Sequence, residues 1–291
     1  MQIRKPKKIN KITKVLVIVF VFLFVASASY ITCSYLVEKQ AQQALVQKEI
    51  SRKIAEKLAL EAIEAKKKEP VYVTLPGAAT IRADVSDYSI TGNFWMLVNK
   101  TRPISTDFAP DAVKIPDVTT IPTRSVNEQS VRSDIEAPLI ALFQAATAAN
   151  HYLLVGSGYR PADVQLSIFN NMANQIGRQA ANQYVALPGQ SEHQTGLALD
   201  IGSTSMKCFL NSCFADTADG IWLAENAHKY GFTLRYPLGK EAITGYGFEP
   251  WHFRYVGVDL ATALYESKLT LDEAWPYLEA ACTTLKQNGA I

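Results

Sequence analysis

Histidine and cysteine are scarce in this chain, with four of each among 291 residues. Scarcity restricts where metal or thiol chemistry can sit. Cys208 and Cys213 lie five apart in a Gly- and Ser-flanked insert with no further ligands nearby, which disfavours a cysteine-based metal site and favours a disulfide formed outside the cell. Net charge is lacking too. The formal balance is only +2, and much of the positive excess falls in the first 14 residues. No basic stripe interleaved with aromatics follows, so no nucleic-acid partner is expected. Nothing in the sequence sets an oligomeric state.

Two further absences organise the N-terminus. Residues 1–14 carry Arg4, Lys5, Lys7, Lys8, Lys11 and Lys14 and no acid. The 23 residues from Val15 to Val37 carry no charge at all. As a helix that run is about 34 Å long, enough for a hydrocarbon core of roughly 30 Å. The expectation is a basic cytoplasmic tail (1–14), one transmembrane helix (15–37) and everything later outside. A cleaved signal peptide is the alternative, because Ala26-Ser27-Ala28 resembles a cleavage site. Residues 38–69 are rich in Ala, Gln, Lys and Glu, with Leu45, Ile50, Ile54, Leu58 and Ile63 in one weak apolar stripe. They read as a helical stalk, with a stripe too irregular for a coiled coil.

Beyond Pro70 the composition changes. Helices are expected at Ala137–Asn150, Ala162–Asn182 and Gly220–Tyr230, and short strands at Tyr152–Val155, Leu197–Ile201 and Trp251–Val256. Helices first and short strands later favour a single α+β domain over a doubly wound sheet. The domain is set at 70–267, with a C-terminal helix within 268–291 packed on its outside.

Two polar clusters stand out against this background. One is Ser191-Glu192-His193-Gln194-Thr195-Gly196-Leu197-Ala198-Leu199-Asp200, and the other is Glu249-Pro250-Trp251-His252-Phe253. Leu197, Leu199 and Ile201 alternate with Ala198 and Asp200, so Asp200 faces away from the apolar side of a strand. Gly196 permits a turn that returns His193 beside that carboxylate. His193, Asp200 and His252 can serve as three metal ligands, leaving a fourth position for water, with Glu249 as base. Arg160, after Ser157-Gly158-Tyr159, is placed to project a cation toward developing negative charge. Each residue also has a plain reading: His193 as a turn residue, Trp251-His252-Phe253 as core packing, Arg160 as a surface ion pair. His151 and His228 are read as ordinary histidines.

At these positions the sequence resembles the VanY-type D-alanyl-D-alanine carboxypeptidases, zinc peptidases of bacterial cell-wall peptides. The likeness rests on Ser157-Gly158-Tyr159-Arg160, on the spacing of Ser191, His193, Gly196, Ala198 and Asp200, and on Glu249, Trp251 and His252. Leu97-Val98-Asn99-Lys100, Tyr230-Gly231-Phe232 and Arg235-Tyr236-Pro237 extend it over roughly residues 92–265. The resemblance implies an α+β fold with a small central antiparallel sheet and flanking helices. It implies Zn2+ held by His193, Asp200 and His252, Glu249 as general base, and Arg160 on the scissile carbonyl. Ser191 and Gln165 would recognise the terminal carboxylate, with Tyr159 and Trp251 as further substrate contacts. The implied activity is removal of the last D-alanine from peptidoglycan stem pentapeptides by attack of a metal-bound water, outside a bacterial cell membrane. An L,D-carboxypeptidase acting on tetrapeptides is the alternative. The Cys208–Cys213 insert and the loop 186–190 are candidates for the penultimate pocket that separates the two. An endopeptidase, a non-catalytic cell-wall binding module and a structural membrane protein are the remaining readings.

Overall fold

The computed structural model describes residues 10–83 and 94–290; most of the expected basic tail (1–9), and residues 92–93 of the family-like stretch, lie outside them. The chain divides into two units, residues 1–65 and 66–291. In the first, helix α1 begins at Lys11 and runs to Lys67, with no buried residue. Part of α1 is long and apolar enough to cross a membrane, a property that a signal sequence near an N-terminus shares.

The second unit opens with a hairpin, β1 (Val71–Thr74) and β2 (Thr80–Ala83). There follow α2 (Glu136–Ala148), β3 (Leu153–Ser157), α3 (Ala162–Ile176), α4 (Arg178–Tyr184) and β4 (Ala198–Ser203). Then come α5 (Ala218–Asn226), β5 (Phe232–Tyr236), β6 (Glu249–Tyr255), α6 (Val258–Ser267) and α7 (Leu271–Gln287). Strands β3 to β6 form one sheet in the order β3-β4-β6-β5, every neighbour antiparallel. The expected α+β class, with an antiparallel sheet and flanking helices, is the observed one.

One face of this sheet is apolar. Val155, Leu199, Ile201 and Phe253 pack with Leu139 and Leu142 of α2 in a fully desolvated cluster. The opposite face carries Ser157, Asp200 and His252, which the register sets side by side across β3, β4 and β6. The period-two alternation therefore assigns greasy packing to one side and chemistry to the other.

Several elements differ from expectation. The helix expected over 162–182 breaks at Gly177 into α3 and α4. Strand β5 and the β1–β2 hairpin were not expected, being short and flanked by turns. Most consequential is α7, expected on the outside. Its Leu271, Ala274, Leu278, Ala281 and Leu285 are buried in a second core with Val71, Val73, Trp95, Leu260 and Leu264. These residues recur at spacings of three and four, so one helix stripe covers the hairpin. A capping box between Thr270 and Glu273 starts the helix at the point where that stripe begins.

Leu278→Ala in this second core is expected to cost about 2–5 kcal/mol, since the site is closed on all sides. A thermal melt should show a loss of several degrees; an unchanged melt would mean that α7 is peripheral.

Candidate metal centre

Asp200 on β4 stands directly opposite His252 on β6. His193 comes from a 3-10 turn, Glu192–Thr195, that Gly196 closes at φ +69°. A side chain at Gly196 would be strained there and would press on Arg132. The His193 Nδ1–H donates to the Gly158 carbonyl at 2.7 Å. A carbonyl can only accept, so Nε2 is the nitrogen left for the site. Gly158 must itself be small: a Cβ there would lie 2.1 Å from the Ser130 carbonyl oxygen. Glu249 and His252 lie three apart on β6 and would ordinarily face opposite ways. A register shift between β5 and β6 bends the strand, bringing Glu249 Oε2 within 3.5 Å of His252 Nδ1.

The donor atoms of His193, Asp200 and His252 all lie within 4.8 Å of one another, and all three residues are buried. His252 Nδ1 is 3.3 Å and His193 Nε2 is 3.5 Å from Asp200 Oδ1. Ligands at roughly 2.0–2.1 Å around a tetrahedral zinc are separated by about 3.3–3.5 Å, so these spacings fit. Asp200 Oδ1 is buried without a hydrogen-bond partner among the described residues, an orphan that a cation satisfies. Burial alone would lower the His252 imidazole, yet Asp200, Glu192 and Glu249 raise it to about 9. Burial pushes the Glu249 carboxyl up to about 7, with His252 opposing and Asp200 adding to the effect. A carboxyl poised there can exchange a proton near neutrality.

A family model described as VanY, D-alanyl-D-alanine carboxypeptidase, matches residues 128–258. The putative carboxypeptidase YodJ of Bacillus subtilis (strain 168) is 43% identical over 181 residues. That match covers 62% of this chain and 66% of YodJ, just under two-thirds of the relative's length. Among solved structures, the LdcB LD-carboxypeptidase is 42% identical with a TM-score of 0.61, covering 64% of this chain and 86% of that one. A glutamate-to-alanine variant of the vancomycin-resistance D,D-pentapeptidase VanY, in complex with Zn(II), is 33% identical with a TM-score of 0.51. It is covered over 98% of its length, from 62% of this chain. The chain belongs to the VanY family.

Around this VanY-family centre lies a cleft of about 620 Å³. Arg160, Gln165, Ser191, Glu249 and Trp251 line it, together with the three candidate ligands. Arg160 donates to Ser157 Oγ (2.7 Å) and Gln165 Oε1 (3.1 Å), and its Nη2 is 3.9 Å from Asp200 Oδ2. Gln165 donates in turn to the Ala186 carbonyl. Tyr159, expected to touch substrate, lies outside the cleft lining; it is buried, and its backbone N–H donates to the Ser130 carbonyl. Cys208 and Cys213 form a disulfide, and the loop it closes brings Leu210, Asn211 and Ser212 to the cleft wall. From the loop 186–190 the lining includes Ala186. His151 pairs with Asp219 and His228 stacks on Tyr265, both outside the cleft lining.

Sequence reasoning passed over the support behind the ligands. Glu192 is fully buried, and its Oε1 accepts from both Arg235 and Arg254 at 2.9 Å. Its Oε2 faces His252 Nε2 at 3.8 Å. Burial would raise this carboxyl, but the two arginines hold it well below the usual range. The available signal was an arginine beside aromatic residues in each of two strands, Arg235 in β5 and Arg254 in β6.

Glu192→Gln leaves two buried guanidiniums facing a neutral amide. Unfolding by denaturant should show a loss of about 3–5 kcal/mol, the usual result of removing one partner of a buried ion pair. A loss under about 1 kcal/mol would mean the cluster is solvated.

Proposed function

We propose that this protein is a zinc-dependent D,D-carboxypeptidase that removes the terminal D-alanine from peptidoglycan stem pentapeptides. The observation that carries the reading is one cleft holding His193, Asp200 and His252 within ligand distance, with Glu249 and Arg160 on its walls. Bound zinc supplies Lewis acidity, polarising a carbonyl and acidifying water. Glu249 takes the proton from the attacking water and returns it to the leaving amine, a role that its raised pKa suits. Arg160 faces the scissile carbonyl and stabilises the oxygen on which charge develops. Ser191 and Gln165 recognise the terminal carboxylate, and Trp251 contributes to the wall of the cleft. A site built to grip a free carboxylate disfavours cutting inside a chain, where that grip has no partner.

An L,D-carboxypeptidase acting on tetrapeptides is the second reading. The observation favouring it is the higher identity to LdcB (42%) than to the D,D-pentapeptidase (33%). Both reactions release a D-alanine carboxylate, so the difference lies in the pocket for the penultimate side chain. Leu210, Asn211 and Ser212, which line the cleft, are the candidates for it.

The location proposed for this chemistry is the outer face of a bacterial cell membrane. Residues 15–37 cross it once, 1–14 remain in the cytoplasm, 38–69 form the stalk, and the domain from residue 70 reaches the cell-wall peptides. Residues 268–290, including α7, fold with that domain.

Incubation of zinc-loaded protein with a synthetic pentapeptide and tetrapeptide, read by mass spectrometry, tests the activity. One D-alanine lost from the pentapeptide alone is expected. Trimming of the tetrapeptide alone transfers the conclusion to the L,D reaction, and no release from either sinks both. Glu249→Gln should keep its zinc by elemental analysis while D-alanine release falls by about 10²–10⁴-fold.

A further inference from the structure

Behind His252 a chain of buried charges runs out of the cleft to the C-terminal helix. Glu192 Oε2 and His252 Nε2 are both buried and without hydrogen-bond partners among the described residues, and they face each other at 3.8 Å. Whether Glu192 keeps that oxygen turned toward the imidazole depends on its other oxygen. Glu192 Oε1 is shared by Arg235 and Arg254. Arg235 is in turn divided between two anions, with Nε on Glu192 and Nη1 on Asp272 Oδ2. Asp272 lies in the first turn of α7 and accepts from Asn99 Nδ2 at 2.8 Å. Asn99 is anchored because its Oδ1 accepts from the backbone N–H groups of Thr101 and Arg102.

We propose that Asp272 is a positioning residue for the metal centre, acting through Arg235 and Glu192 to hold the imidazole of His252 with Nδ1 toward His193 and Asp200. This rests on the reading of those three residues as a metal site. Arg235 is completely buried and needs anionic partners on both sides. Without the charge at Asp272 its guanidinium has only Glu192 to neutralise it. A guanidinium engages a lone carboxylate through both oxygens, so Glu192 Oε2 would be drawn off His252. The imidazole then loses the group that restrains its outer nitrogen, and groups behind metal-ligating histidines commonly contribute 10–100-fold to metal affinity. Residue 272 lies beyond the stretch 128–258 that the family model matches. The C-terminal helix therefore acts on the site as well as on the fold.

The test is zinc affinity by competition with a chromophoric chelator, on wild type, Asp272→Asn and Asp272→Glu, with thermal melts on each. The visible spectrum of the Co2+-substituted proteins reports the ligand field at the same time. Asp272→Asn should weaken zinc by about tenfold, the lower end of that range, and alter the Co2+ spectrum. Asp272→Glu, which keeps the charge, should recover most of the affinity. Turnover should fall through kcat, with KM for the peptide little changed. A lowered melting temperature with unchanged zinc affinity and Co2+ spectrum would reduce Asp272 to a structural ion pair and overturn the proposal. Should Asp272→Asn fail to fold, Arg235→Lys keeps the buried charge but lacks the planar fork that spans Glu192 and Asp272, and unchanged zinc affinity there is equally fatal. A wild type that binds no zinc instead overturns the metal-centre reading itself.

Discussion

The antiparallel pairing of β4 with β6 is the constraint on which the site depends. It sets Asp200 across from His252 with Ser157 on the neighbouring strand. Cross-strand partners stand about 4.5–5.5 Å apart at Cβ, close enough for one ion to be held between them. A slip of one residue would exchange the faces of every side chain. Leu199 and Phe253 would then enter the cleft, while Asp200 and His252 would be forced into the apolar core. The burial of Leu199, Ile201 and Phe253 against α2 therefore selects the register, and the register places the donors.

Three departures from regular structure complete what the pairing begins. The tight turn at Gly196 returns His193 to the strand face, and the absence of a side chain at Gly158 lets a backbone carbonyl reach the back of that imidazole. The register shift between β5 and β6 brings Glu249 to the same side as His252 despite their odd spacing. Each departure aims one polar group at the cleft, while the rest of the sheet stays regular enough to bury its other face.

Behind the donors the structure maintains a second kind of order. Glu192, Arg235, Arg254 and Asp272 sit away from water with their charges opposed. Burying such groups costs several kcal/mol per ion, and hydrophobic residues of similar size would often be as stable. Stability is thus a weak reason for the cluster, and fixing the orientation of His252 is a stronger one. The same cluster joins the sheet to α7, whose apolar stripe covers the β1–β2 hairpin.

Much of the site was legible without coordinates because its parts are local. The alternation of Leu197, Leu199 and Ile201 with Asp200 gives the facing of that strand, Gly196 marks the turn, and two of the four histidines fall in the two polar clusters. The uncharged run from Val15 to Val37 announces an apolar helix in the same way. Tertiary structure alone decided what depends on contacts distant in sequence. The meeting of Glu192 with Arg235 and Arg254 spans 43 and 62 residues, and that of Asn99 with Asp272 spans 173. Likewise, α7 proved to be a core helix because its partners lie about two hundred residues away in β1 and β2. Periodicity shows which stripe of an element is apolar or which face of a strand is polar. It carries no information about which distant surface will cover that stripe, and that choice falls to the packing of the whole domain.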